Sequence, residues 1–161
     1  MPDYLNKRFF INFIIIASIF SLDRISKVYV IFLYDRNSSL NLFTSKFLDI
    51  NLIWNDGIAF GLFSFDERIY YNILTVLILI ITLIIFWMIT RTKGLEKLAF
   101  LMIFGGSLGN IFDRIFYSSV PDFIDFHFNN FHWFIFNVAD IFITLGVILL
   151  IYLEIFFKKK T

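Results

Sequence analysis

The chain has 161 residues, of which 59% are hydrophobic and 24 are phenylalanine, with a formal net charge of +1. This composition excludes a soluble core, gives no basis for binding nucleic acid, and places the chain in the membrane class. Cysteine is absent, which rules out disulfides, thiolate metal sites and a cysteine nucleophile.

Four apolar runs follow in chain order, each with about the 20 residues needed to cross a hydrocarbon core of ~30 Å. The first, 9–34, is interrupted by Asp23, Arg24 and Lys27. A cleavable leader is not expected there, because no small-x-small cleavage site follows Phe20 and the apolar run resumes after Lys27. The stretch 35–68 is too apolar for a disordered tether. Within it Ile50, Leu52 and Trp54 alternate with Asp49, Asn51, Ile53 and Asn55, nearly the period of a half-buried strand. Asp56 and Gly57 then signal a turn, and 58–64 reads as a second strand or as a short helix lying on the membrane. The second span covers 71–90, and the third covers 98–117 with Asp113 and Arg114 inside it. The loop 118–133 carries Phe123, Phe126, Phe128, Phe131 and Trp133, read as aromatic residues at a membrane interface. The fourth span, 134–157, contains Asp140 and Glu154.

Basic residues set the expected orientation, because Lys and Arg collect on the cytoplasmic side of short loops. Lys7, Arg8, Arg91, Lys93, Lys97, Lys158, Lys159 and Lys160 fall on one side, eight of the fourteen in the chain. Both termini are therefore expected in the cytoplasm. The expected fold is a single-domain, all-α membrane protein of four spans.

Helix rise of ~1.5 Å per residue from those anchors puts Asp23 ~22 Å up, Asn110 ~20 Å, Arg114 ~26 Å and Asp140 ~27 Å, all in the outer third of the bilayer. Asp122 reaches the same level from the outer loop. Asp23 and Lys27 are spaced i,i+4 and able to neutralise one another. Gly106, Asn110 and Arg114 form a second i,i+4 stripe, in which glycine admits a close helix or a substrate. Asn137 and Asp140 lie one turn apart. A charge at the bilayer centre costs at least ~2.5 kcal/mol, so ionisable residues in spans point to a site. The bland alternative, interhelical hydrogen bonding, suits Asp113 and Glu154 best, and weighs equally with function for Asp23 and Lys27.

Asp122 and Asp140 stand apart. Two carboxyl groups in one low-dielectric site cannot both ionise, and sharing one proton relieves the repulsion. The ionised member can then take a proton from water while the other donates to a carbonyl oxygen, as in aspartic proteases, so amide hydrolysis needs no Ser, Cys or metal. No metal or other cofactor is expected. His127 and His132 are five residues apart, off one helical face, with no HExxH pattern, and read as interface residues.

Asp23-Arg24-Ile25-Ser26-Lys27, Asn55-Asp56-Gly57-Ile58-Ala59-Phe60, the run from Gly105 to Arg114, Pro121-Asp122-Phe123-Ile124-Asp125 and Phe136-Asn137-Val138-Ala139-Asp140 resemble, in order and over the whole chain, the motifs of bacterial lipoprotein signal peptidase, or signal peptidase II. The resemblance implies an inner-membrane aspartic endopeptidase that cuts a prolipoprotein just before its diacylglyceryl-modified cysteine. It makes Asp122 and Asp140 the catalytic dyad. Asn55, Gly106, Asn110, Arg114 and Asn137 then shape the site and hold substrate, and Asp23 and Lys27 support it. It also implies a small extracytoplasmic β-cradle and a short interfacial helix, which tips 58–64 towards helix. The expected partners are prolipoprotein substrates and membrane lipid, with the enzyme a monomer. Pro121 stands where a β-branched residue is expected and Ile58 where a small one is; neither removes a group the chemistry needs.

Two other classes compete. A small transporter or proton conductor needs polar groups at successive depths, whereas the inner two thirds of these spans are nearly bare of them. A non-catalytic assembly factor would survive Asp122→Asn and Asp140→Asn unchanged.

Overall fold

A computed structural model describes residues 2–37, 41–57, 68–129 and 131–157. The elements run α1 (Pro2–Asn37), β1 (Asn41–Thr44), β2 (Leu48–Asn55), α2 (Arg68–Arg91), α3 (Gly94–Tyr117), β3 (Val120–Phe128), β4 (Phe131–Phe136) and α4 (Val138–Phe156). Each of the four helices is long and apolar enough to cross a membrane. The segment 58–64 and Lys158 to Lys160 lie outside the described residues.

The helices differ in what they bury. In the most apolar stretch of α3, 67% of residues are buried, against 11–17% for the other three. Thus α3 is the core of the bundle, and Leu, Ile and Phe on the outer faces of α1, α2 and α4 meet the surroundings, as lipid-facing helices require. At the end of the bundle where α2 turns into α3, Ile89, Phe100, Leu101 and Ile103 form an apolar cluster. At the other end Val30 of α1 packs with Leu52 of β2 and Phe123 of β3, seating the sheet on the helices.

The sheet has four antiparallel strands in the order β1-β2-β3-β4. The strand expected around Ile50 to Trp54 is β2, and register shifts against β3 between Ile50 and Ile53, so its alternation is imperfect. Four helices with one small antiparallel sheet agree with the expected class, and two local expectations need correction. The aromatic loop 118–133 is largely a hairpin, β3 with β4, and so belongs to that sheet. The fourth span begins at Val138: Phe134, Ile135 and Phe136 are as apolar as a helix but belong to β4. Asn137 marks the true break. Its side chain accepts from the Asp140 amide while the Asp140 side chain accepts from the Asn137 amide, a capping box that starts α4.

Candidate active site

Three asparagines hold the two aspartates, and each has its amide oxygen pinned so that its NH2 faces a carboxylate. Asn137 accepts from the Asp140 amide (3.2 Å) and its Nδ2 donates to Asp122 Oδ1 (2.6 Å). Asn55 accepts from the Gly57 amide (2.9 Å) at the predicted turn and donates to Asp122 Oδ2 (2.8 Å). Asn110 accepts from Lys27 Nζ (3.0 Å) and donates to Asp140 Oδ1 (2.8 Å). The second oxygen of Asp140 accepts from the Asn137 backbone (3.2 Å). Asn137 thus touches both carboxyl groups, tying the β3 aspartate to the one on α4. Their four oxygens are met by neutral amides, and among the described residues no lysine or arginine contacts either aspartate.

Asp122 is 4% exposed. Its carboxyl is pushed up from 3.8 to about 6, first by burial and then by the charge of Asp140, against the hydrogen bonds from Asn55 and Asn137 that favour the ionised form. Such a group changes protonation near neutrality instead of remaining a fixed anion.

Beneath this pair lies a charge-balanced cluster. Lys27, wholly buried, donates to Asp113 Oδ2 (2.6 Å) and contacts Asp23 Oδ1 (2.9 Å) as well as Asn110. Arg24 reaches Asp23 (2.8 Å) and Asp113 (2.6 Å). Two cations thus face two anions, the condition under which buried charges are tolerable. Asp23 also accepts from the Ala139 amide (3.0 Å) in the first turn of α4, where a carboxylate complements the helix dipole. The expected i,i+4 pair is present, and Asp113 bonds between helices, to both Lys27 and Arg24 of α1.

Two further expected site residues meet backbone. Arg114 donates to the Asn110 carbonyl (3.2 Å) and to the Gly57 carbonyl (3.3 Å), so it braces the backbone of two residues that position the asparagines. Gly106 serves helix packing: a Cβ there would sit 2.5 Å from the Ala139 carbonyl oxygen, so the space it leaves is taken by α4.

Sequence reasoning singles out neither Gly109 nor the capping box. A Cβ on Gly109 would lie 2.5 Å from Asp23 Oδ2, and a carboxylate already bound by Lys27, Arg24 and the Ala139 amide has little room to yield. The signals are present, since Gly105 and Gly109 make a GxxxG spacing and Asn137 with Asp140 make an N-x-x-D cap.

Known proteins resemble the chain over nearly its whole length. Residues 15–156 match the family model described as signal peptidase (SPase) II. A lipoprotein signal peptidase of Pelagibacter ubique is 48% identical over 154 residues, covering 96% of this chain and 93% of its own length. One from Anaplasma phagocytophilum is 37% identical over 146 residues, covering 90% and 92%. Two solved structures described as bacterial membrane enzymes, each 26% identical, superpose with TM-scores of 0.70 and 0.65. They cover 93% and 92% of this chain, and 92% and 94% of their own. The protein is therefore a multi-pass membrane peptidase, a member of the signal peptidase II family.

Proposed function

We propose that the protein is an aspartic endopeptidase that removes the signal peptide from diacylglyceryl-modified prolipoproteins, with Asp122 and Asp140 as its catalytic dyad. One observation carries this reading: two carboxyl groups, Asp122 buried and Asp140 half-buried, are joined through Asn137 and, among the described residues, are met by amide donors alone, with Asp122 titrating near neutrality.

The chemistry follows from that environment. With one proton on the pair, the ionised carboxylate takes a proton from a water molecule while the protonated partner donates to the oxygen of the scissile carbonyl. Water adds to the carbonyl carbon, and collapse of the tetrahedral species with proton transfer to the amide nitrogen breaks the C–N bond and restores the singly protonated pair. The asparagine donors keep both carboxyl groups oriented without supplying a positive charge that would fix them as anions. Lys27, by anchoring the oxygen of Asn110, sets which way that amide points and acts on Asp140 through it.

The place of the pair supports the substrate. Asp140 lies in the first turn of α4, at the end of the bundle opposite the α2–α3 turn with its Arg91, Lys93 and Lys97. By the positive-inside rule the basic end faces the cytoplasm of the bacterial inner membrane and the aspartates face outward. A lipid-modified cysteine holds its acyl chains in the bilayer and presents the neighbouring peptide bond at that level, so no lipid need be extracted. Cleavage of a diacylated prolipoprotein, followed by gel shift beside its unlipidated form, tests activity and substrate class together. Equal cleavage of both would refute the lipid requirement.

A further inference from the structure

The chain has two histidines, and the hairpin brings them together. His127 on β3 and His132 on β4 are register partners, with ring centroids 5.1 Å apart. His132 Nδ1 lies 2.9 Å from Asp125 Oδ2. From the neighbouring strand, Asp49 of β2 is the register partner of Asp125, and its Oδ2 lies 3.9 Å from His127 Nδ1. Directly opposed residues on adjacent strands share a face, so three strands contribute two imidazoles and two carboxylates to one patch. Like charges directly opposed are unfavourable in a sheet, and Asp49 against Asp125 is such a pair.

The hydrogen bonds within this patch leave it incomplete. Asp125 is 3% exposed, yet among the described residues its Oδ1 has no hydrogen-bond partner, and neither has the buried Nδ1 of His127. Protonating the imidazoles does not repair this. His132 already engages the other oxygen of Asp125, and Asp49 stands too far from His127 for a hydrogen bond. A donor atom from each of Asp125, His127 and His132 lies within 4.8 Å of the others, and the His132 side chain is 54% exposed, which opens the group to solvent at one edge.

We propose that Asp125, His127 and His132 form a binding site for a divalent first-row transition-metal ion, with Asp49 balancing its charge. Two imidazoles with carboxylate oxygen suit zinc, whereas calcium and magnesium take oxygen alone and copper(I) asks for sulfur. Tetrahedral zinc with bonds of ~2.1 Å needs donors ~3.4 Å apart, so closing the site asks for about an ångström of side-chain rotation. The ion gives the orphaned oxygen and nitrogen a partner, offsets the two opposed carboxylates, and ties β4 to β3. Because β3 also carries Asp122, three residues before Asp125, the metal steadies the strand that presents it. The site takes no part in bond cleavage and stands independently of the function proposed above.

The test uses the tag-free protein in detergent, stripped with EDTA and dialysed, then titrated with zinc chloride by calorimetry. In parallel, NMR follows protein carrying ¹⁵N-labelled histidine, whose two imidazoles report on this site alone. Expected are one zinc per chain, simultaneous movement of both histidine signals, and no response to magnesium. His132→Ala, at an exposed position, and Asp125→Asn should each weaken zinc binding at least tenfold, with peptidase activity of the metal-free His132→Ala protein unchanged. Histidine signals that ignore zinc, or a His132→Ala protein that binds it as tightly as the wild type, would overturn the proposal.

Discussion

Replacing Asp122 by Asn removes a titration that the fold makes costly. In the unfolded chain this carboxyl titrates near 3.8, and in the folded protein near 6, because it is buried beside Asp140. A raised carboxyl pKa means that the folded state holds its proton more tightly. Its stabilising contribution is complete below about pH 4 and is lost as pH rises through 6. The displacement of about two units corresponds to about 3 kcal/mol, with the side chain nearly inaccessible and little screened by solvent. An asparagine side chain in its place is isosteric and does not titrate. Wild type and Asp122→Asn should therefore have similar stability at pH 4, and the variant should gain on the wild type by about 3 kcal/mol between pH 4 and pH 7. Thermal or denaturant unfolding in detergent, run for both proteins at half-unit steps, reads this difference directly. Parallel stability profiles would show that Asp122 ionises in the folded protein as it does in water, and the reasoning about its environment would fail.

Asn110→Ala and Arg114→Ala should each lower turnover of a lipidated prolipoprotein, by about 10- to 100-fold, yet less completely than loss of either aspartate, since one orients Asp140 and the other braces backbone. An Arg114→Ala enzyme with wild-type kinetics would remove Arg114 from the site. Asn55→Ala withdraws a hydrogen bond that favours ionised Asp122, so the Asp122 pKa rises and the pH–rate profile moves to higher pH; an unmoved or acid-shifted profile counts against that bond. Gly109→Ala forces a methyl group against Asp23 and should cost about 1 to 3 kcal/mol in stability, with activity falling as the start of α4 shifts. A fully active, equally stable Gly109→Ala protein would show that Asp23 has room to move.

Much of this was legible because burying charge in an apolar chain is expensive. Asp23, Lys27, Asn110, Asp113, Asn137 and Asp140 are conspicuous against their surroundings, and helix rise places them in one layer, where the hydrogen bonds join them. The hairpin is not legible in the local pattern, although the family resemblance implies a small sheet. Val120, Pro121, Asp122 and Phe123 are all buried, so β3 lacks the in-out alternation that betrays a half-exposed strand, and its aromatic residues mimic an interface. The same lack of contrast moved the start of the fourth span, since hydropathy does not separate Phe134 to Phe136 in β4 from a helix. Helical spacing does not reveal that His127 and His132 meet, because five residues across a tight turn is how opposed strand positions are spaced. The bond from Arg114 to Gly57 depends on a loop far away in sequence, which no local pattern encodes.

In the proposed mechanism two acids act as one catalytic unit. The most direct measurement is cleavage of a diacylated prolipoprotein by Asp122→Asn and Asp140→Asn proteins, each first shown by its unfolding transition in detergent to be folded. Both variants should be inactive while present at the wild-type level. Product formation near the wild-type rate by either folded variant would contradict the dyad.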